Sequence, residues 1–364
     1  MAKEITTVFD YLDWRGDISF SQLPPCEVDS LVFSLLSYID FDGIVPPPDE
    51  IKGVSLLAAA KKFIKKYKED GKPDIGFIIP KDVVVLLAKA AKTKRFGEVL
   101  LSSYVNKICD GEEKQFSAIT FVFKNTEGAD ELFVVFRGTD DTIVGWKENF
   151  NMSFMQPVPS QLEAAEYLSD VASNTFGEIT VGGHSKGGNL AVYAAVSAPE
   201  RVKKRINTVY NLDGPGFNID FLASEEYRIM RDRIRTIVPH SSIVGMLLEH
   251  EESYEVISSS QTGLLQHNGF FWHVLGGSFV HLESVSGESR LIDETLKKWL
   301  SEMTPEQRKD AVDSIYDSLT QGKAKTLSDL NADKRQLVKA WNTMSDESRT
   351  FVRKCISLLI KNNK

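Results

Sequence analysis

The chain has 364 residues, of which 42 % are hydrophobic and 26 % charged, with a formal net charge of −8 at pH 7. That length accommodates one large domain or two ordinary ones around an ample core. The acidic balance, without a basic stripe interleaved with aromatics, excludes a nucleic-acid binder, and no run of about 18 apolar residues is present to cross a membrane.

The remaining global features are equally plain. Cys26, Cys109 and Cys355 are odd in number and far apart, and they form no metal-ligand spacing. They are expected as reduced, mostly buried thiols of a cytosolic protein. Met1-Ala2-Lys3-Glu4-Ile5-Thr6 lacks the basic-then-apolar layout of a signal peptide, so a cytoplasmic location is expected, with no cofactor and no metal. The lysines of 61–68 read as the solvated face of an amphipathic helix.

In chain order, the first hundred residues read mainly as helices. Val28, Leu31, Val32, Leu35 and Leu36 recur at helical spacing between Glu27 and Ile39, and Pro46-Pro47-Pro48 forces extended chain after them. Further helical patterns cover about 55–68 and 82–94. Phe116 to Phe123 and Leu132 to Phe136 are β-rich runs joined by Asn125-Thr126-Glu127-Gly128, a hairpin signature. A helix carrying Leu162, Ala165, Leu168, Val171 and Ala172 then ends at Gly177. Strands are predicted before Ser185, at Ile206 to Leu212, at Ile234 to Val238 and at Tyr254 to Ile257. Phe270 to Val285 is a looser β-like run. Alternating strands and helices imply an α/β fold with a mostly parallel central sheet flanked by helices. After residue 287 the strands stop. Thr304-Pro305-Glu306-Gln307 is a capping-box start, the helix it opens closes at Gly322, and Ser345 opens a last helix with Phe351, Val352, Cys355, Leu358 and Leu359. The expected organisation is therefore a domain over 1–286, with 1–100 mainly helical and 116–286 holding the sheet, and a C-terminal helical appendage over 287–364. The appendage either packs on the sheet domain or presents a surface to a protein partner.

The most informative stretch runs from Ile179 to Ala195. A short apolar strand enters Gly183-His184-Ser185-Lys186-Gly187 and continues into an alanine-rich helix. A Gly-x-Ser-x-Gly turn between strand and helix is the nucleophile elbow of the α/β-hydrolases, with Gly183 and Gly187 placed where a Cβ would collide with nearby backbone. A serine hydroxyl needs a base to act as nucleophile. All six histidines lie between 184 and 281, consistent with the order serine, acid, histidine. His184 sits inside the elbow and points the wrong way. His267 lies in a loop after the last clear strand and is the favoured base; His240, His250, His273 and His281 remain alternatives. For the acid, Asp213 directly follows Ile206 to Leu212 in a Gly/Pro-rich turn, although it also suits a plain turn cap; Glu249 is the reserve. The oxyanion requires two preorganised donors. One is the backbone N–H of Lys186, and the other comes from the loop Arg137-Gly138-Thr139 at the abrupt end of an earlier strand.

Phe136-Arg137-Gly138-Thr139, the downstream Trp146 and Gly183 to Ala191 resemble the class 3 (fungal-type) triacylglycerol lipases. Phe9-Asp10-Tyr11-Leu12-Asp13-Trp14, Asp213-Gly214-Pro215-Gly216-Phe217 and Gln266-His267 resemble more closely a bacterial family of lipase-like proteins labelled Mbeg-like. The resemblance covers roughly 1–285. It implies Ser185 as nucleophile, Thr139 and Lys186 as oxyanion donors and His267 as base. Where class 3 lipases keep an aspartate after the next-to-last strand, this chain has Ser241-Ser242, which moves the acid to Asp213. Lys186 replaces their leucine and implies a more polar site mouth.

The expected function is a serine hydrolase acting on a small-molecule or lipid-like ester or thioester through an acyl-enzyme. The alternatives are a scaffold or binding protein of the same fold with weak or no catalysis, and an amidase or peptidase using the same site. Met246, Leu247, Leu248, Phe217 and Phe270 are either acyl-chain contacts or core.

Overall fold

Leu132-Phe133-Val134-Val135-Phe136 is apolar at every position because both faces of its strand are covered. In the computed structural model, which describes residues 5–353 apart from 49, 51, 70–80, 321–323, 333, 345, 347 and 351, Phe133 and Val135 enter one core layer. Leu132, Val134 and Phe136 enter the other.

The sheet has nine strands: β1 (Val54–Ser55), β2 (Leu100–Cys109), β3 (Lys114–Lys124), β4 (Asp130–Phe136), β5 (Glu178–His184), β6 (Ile206–Leu212), β7 (Ile234–Pro239), β8 (Tyr254–Ile257) and an edge strand at 281–282, in that spatial order. A separate hairpin, β9 (Val274–Leu275) with β10 (Ser278–Phe279), precedes the edge strand β11 (His281–Leu282). Of the mostly parallel sheet expected from the sequence, the centre from β4 to β8 runs parallel, whereas β1 to β4, with the expected hairpin, and β8 with β11 are antiparallel. Strand β2 fills most of the stretch between residues 100 and 116, to which the sequence assigns no element. Its Ser102, Ser103, Asn106 and Lys107 interrupt any apolar alternation, and the ladder to β3 shifts register between Ser102 and Val105.

One face is covered by α1 (Val8–Arg15), α2 (Glu27–Leu36), α3 (Leu56–Glu69) and α4 (Asp82–Ala90). Helix α2 is buried along its whole length. Its Phe33 ring packs 4.7 Å from Phe121 and 5.0 Å from Phe133, and Phe20 stacks on Phe123 at 4.3 Å. Such pairs contribute about 0.5–1.5 kcal/mol each beyond their buried area. The opposite face carries α6 (Pro159–Asn174), α7 (Lys186–Ser197), α8 (Glu200–Lys203), α9 (Ile219–Leu222) and α10 (Glu225–Met230), while α5 (Ile143–Asn151) follows the loop after β4.

The N-terminal layer is pinned by a charge pair with no solvent access. Arg95 Nε donates to Asp29 Oδ1 at 2.8 Å and Arg95 Nη2 to Asp29 Oδ2 at 2.5 Å, both side chains being 0 % exposed. Tyr11 donates to the same carboxylate at 2.7 Å, as does the Cys26 amide at 2.9 Å. Arg95→Met leaves that carboxylate buried without its cation, so the unfolding free energy is expected to fall by about 3–5 kcal/mol. A denaturant midpoint at the wild-type value would contradict this. Cys26 and Cys109 are half-buried free thiols rather than core residues, because each sits at the end of an element. Burial and the Asp29 charge push the Cys26 thiol up to about 12. Cys355 lies outside the described residues.

The C-terminal helices α11 (Gly287–Ser301), α12 (Pro305–Thr320), α13 (Leu327–Ala332) and α14 (Lys334–Thr343) add no strand. Thr304 and Gln307 exchange the two capping bonds expected of them, at 2.8 and 3.2 Å. Packing accounts for the apolar face of α12: Tyr316 and Leu319 join Ile143, Ala324, Leu327 and Leu330 in a small core against α5. No observation supports the alternative of a protein partner at that face. The closure at Gly322 lies outside the described residues, and of the helix expected from Ser345 the described residues 346, 348–350, 352 and 353 are helical. No helix among the described residues is long and apolar enough to cross a membrane.

Candidate active site

The register of the parallel strands brings their carboxyl ends level: Phe136 pairs with Gly183, His184 with Leu212, Leu212 with Ile237, and Pro239 with Ile257. Ligand sites of α/β sheets lie in the crevice beyond such ends. Here that edge collects Arg137-Gly138-Thr139, Ser185, Asp213, Ser242 and the loop carrying His267.

Ser185 has φ 60° and ψ −134°, a strained region for a residue with a side chain, costing about 1–3 kcal/mol. The bend is held by Ser185 N–H donating to Leu212 O at 2.8 Å and by α7 starting at once. A methyl on Gly187 would lie 2.1 Å from Phe136 O, and one on Gly183 would lie 2.3 Å from the Gly187 carbonyl carbon, so neither position admits a Cβ.

Asp213 is fully buried and adopts φ 52°, a left-handed conformation that Asp tolerates better than most residues. Its loop is fixed by Asn211 Oδ1, which accepts Gly214 N–H at 3.0 Å, and by Asn189 Nδ2, which donates to Pro215 O and Gly216 O. Asp213 Oδ2 lies 2.6 Å from His267 Nδ1. Its other oxygen accepts the Ser242 hydroxyl and the Gly245 N–H. The serine that replaces the expected late aspartate thus hydrogen-bonds the carboxylate supplied by the preceding strand. With Nδ1–H given to Asp213, the imidazole keeps its Nε2 lone pair available.

The short turn Gly263–His267 is tied down by its neighbours. Gln266 Oε1 accepts Ser241 N–H at 2.8 Å, and Trp272 Nε1 donates to Gln266 O at 2.8 Å. His184 supports it from below. Its ring lies 4.5 Å from the His267 ring, and its Nε2 is 2.7 Å from His267 O. A carbonyl only accepts, so Nε2 carries the proton and Nδ1 accepts the Tyr38 hydroxyl at 3.1 Å. Burial, reinforced by His267, pushes the His184 pKa down to about 3, so this ring stays neutral beside the His267 turn. The sequence reads His184 as pointing away from the nucleophile; its contacts give it a supporting place that no local pattern encodes.

The other histidines are engaged elsewhere. His240 Nδ1 bonds Ser284 O, His250 pairs with buried Glu252, His273 lies between Ser258 and Ser260, and His281 faces Glu27 and Glu255. Glu249, the reserve acid, is paired with Lys297 at 3.0 Å. Glu27, Glu255 and His281 have metal-binding proximity. Arg235 Nη2, however, lies 2.7 Å from Glu27 Oε2 and from Glu255 Oε1, so a guanidinium already supplies the positive charge there.

Around the elbow, Gly138 packs so closely that a methyl on it would come within 3.1 Å of Ser185 Cβ. Thr139 Oγ1 accepts Asn149 Nδ2 at 2.6 Å, which leaves its own proton free to donate. Lys186 is the first residue of α7, where N–H groups have no intrahelical acceptor. Its side chain does not line a polar mouth. It is 1 % exposed and turns inward to Glu148, because that buried carboxylate and the Gln115 carbonyl give its ammonium group partners. Phe217, Met246 and Phe270 are buried, with Phe217 stacked on Phe221 and Phe270 on Phe9, so these three belong to the core. Among the described residues Ser185 Oγ makes no hydrogen bond, to His267 or to any other group.

A strand–elbow–helix unit, with acid and imidazole delivered by later strands to the same sheet edge, places the chain among the α/β-hydrolases that resemble class 3 lipases. The Mbeg1-like family model matches residues 90–317, and the chain belongs to that family. Two solved structures are similar to it at low identity. One, described as "Crystal structure of M37 lipase", is 20% identical, with 60% of this chain and 68% of that chain covered and a TM-score of 0.36. The other, a Rhizomucor miehei lipase propeptide complex, is 18% identical, with 45% and 58% covered and a TM-score of 0.33. No curated protein sequence matches.

Proposed function

We propose that the chain is a serine hydrolase that cleaves a carboxylic ester or thioester through an acyl-enzyme on Ser185. The observation that carries this reading is the His267–Asp213 pair at 2.6 Å, set over the elbow by a turn that rests on the residue preceding Ser185. His267 Nε2 takes the Ser185 proton as the hydroxyl oxygen attacks the acyl carbon. The Thr139 and Lys186 N–H groups, with the Thr139 hydroxyl, stabilise the oxyanion. His267 then gives its proton to the departing alcohol or thiol. Water repeats the sequence in reverse, with His267 as base, and frees the acid.

The second reading, a hydrolase-fold scaffold without efficient catalysis, is favoured by the unbonded Ser185 hydroxyl. Catalytic hydrogen bonds are often long before substrate arrives, so that geometry does not exclude turnover. A fluorophosphonate probe separates the two. Native protein is expected to gain one adduct, mapped to Ser185 by peptide mass spectrometry, and to hydrolyse p-nitrophenyl esters. Absence of both would leave the scaffold reading standing.

A further inference from the structure

The two donors of the proposed oxyanion site come from separate loops: Thr139 follows β4 and Lys186 follows β5. The elbow packs against the end of β4, which sets the approach of the two loops. Helix α5 adds a side-chain tie to each of them, through adjacent residues. Asn149 Nδ2 reaches Thr139 Oγ1 at 2.6 Å. Glu148 Oε2 accepts Lys186 Nζ at 2.9 Å and Gln115 N–H at 3.1 Å, while Glu148 Oε1 accepts Ser160 N–H at 2.8 Å. Lys186 Nζ also donates to Gln115 O at 2.6 Å. The pair is sealed, with side chains 1 % and 0 % exposed.

We infer that Glu148 is a positioning residue for the Ser185 reaction, anchoring Lys186 so that its amide is held in fixed register with Thr139. This rests on the serine-hydrolase reading of Ser185. A buried ion pair is seldom more stable than apolar groups of equal volume, so stability alone gives little reason for charge at this point. A rigid tie of strand β3 and helices α6 and α7 to helix α5 is what the four contacts accomplish. The outer side of α5 is braced as well. Lys147 lies 2.7 Å from Glu113 and 2.6 Å from Asp313 of α12, Ile143 N–H donates to Lys325 O at 2.9 Å, and Leu327 N–H donates to Asp141 O at 2.9 Å. Helices α12 and α13 thereby seat the helix that carries Glu148.

The test uses the full chain with Glu148→Gln and, because that variant risks misfolding, Lys186→Arg, which keeps the charge but alters the reach. Two readouts are taken. On p-nitrophenyl butyrate, Glu148→Gln is expected to lower kcat by about 10²–10³-fold, the range for losing one oxyanion donor, with KM within threefold. Lys186→Arg is expected to lower kcat at least fivefold in a protein that still folds cooperatively, with a melting temperature lowered by the larger side chain in the sealed site. In hydrogen exchange followed by mass spectrometry, peptides covering 143–151 and 184–190 are expected to speed up together in Glu148→Gln. Wild-type kcat in a folded variant, a rise in KM with kcat preserved, or acceleration of only one of the two peptides would overturn the inference. An inert wild-type protein would instead remove the hydrolase reading, and the exchange data would still decide whether Glu148 couples α5 to the elbow.

Discussion

Ser185→Ala is expected to reduce turnover of an activated ester by on the order of 10⁶-fold, and His267→Ala by a similar factor. The reason is physical. Without the hydroxyl there is no acyl acceptor, and without the imidazole the hydroxyl must lose its proton to water. Groups that act as one unit lose their effect together, so the double variant should be no more than about tenfold worse than either single one. Losses that multiplied instead would mean that the two side chains act in different steps. Residual hydrolysis should remain above the solvent rate, because the proposed donors at Thr139 and Lys186 are untouched. Initial rates with p-nitrophenyl butyrate, together with melting temperatures as a check on folding, decide the matter.

Asp213→Asn is expected to cost about 10⁴-fold in kcat while leaving the fold intact. The asparagine oxygen can still accept Ser242 and Gly245, the two donors on Asp213 Oδ1. What changes is the face toward His267. An amide NH₂ there favours the tautomer with its proton on Nε2, the nitrogen required as base. A loss below tenfold would return Asp213 to the role of a loop cap. Placing a carboxylate one strand later, in Asp213→Asn with Ser242→Asp, is expected to recover at least tenfold, since Ser242 already contacts the native carboxylate.

Much of this arrangement is legible in the amino-acid order. Ile206 to Leu212 and Tyr254 to Ile257 are apolar runs bounded by turn residues, and both form strands over those residues. The elbow announces itself because steric crowding dictates its glycines. Helix α5 has no such signature. Ile143-Val144-Gly145-Trp146-Lys147-Glu148-Asn149 has a glycine and no clean apolar stripe, since its polar side chains are satisfied by β3, α7, the Thr139 loop and α12. Tertiary partners decide that helix, and no window of local sequence contains them. The same holds for Lys186. From spacing alone a lysine beside a nucleophile reads as solvent-facing, whereas its partner Glu148 arrives from another element.

Tyr38 belongs to the layer before residue 90, yet its hydroxyl holds His184, and His184 holds the main chain of His267. The stretch recognisable as Mbeg1-like, 90–317, is therefore shorter than the unit that must fold. A fragment cut at that boundary would bare one whole side of the sheet to water and release the imidazole loop from its support. The smallest fragment that folds with this support in place is expected to begin upstream of α1.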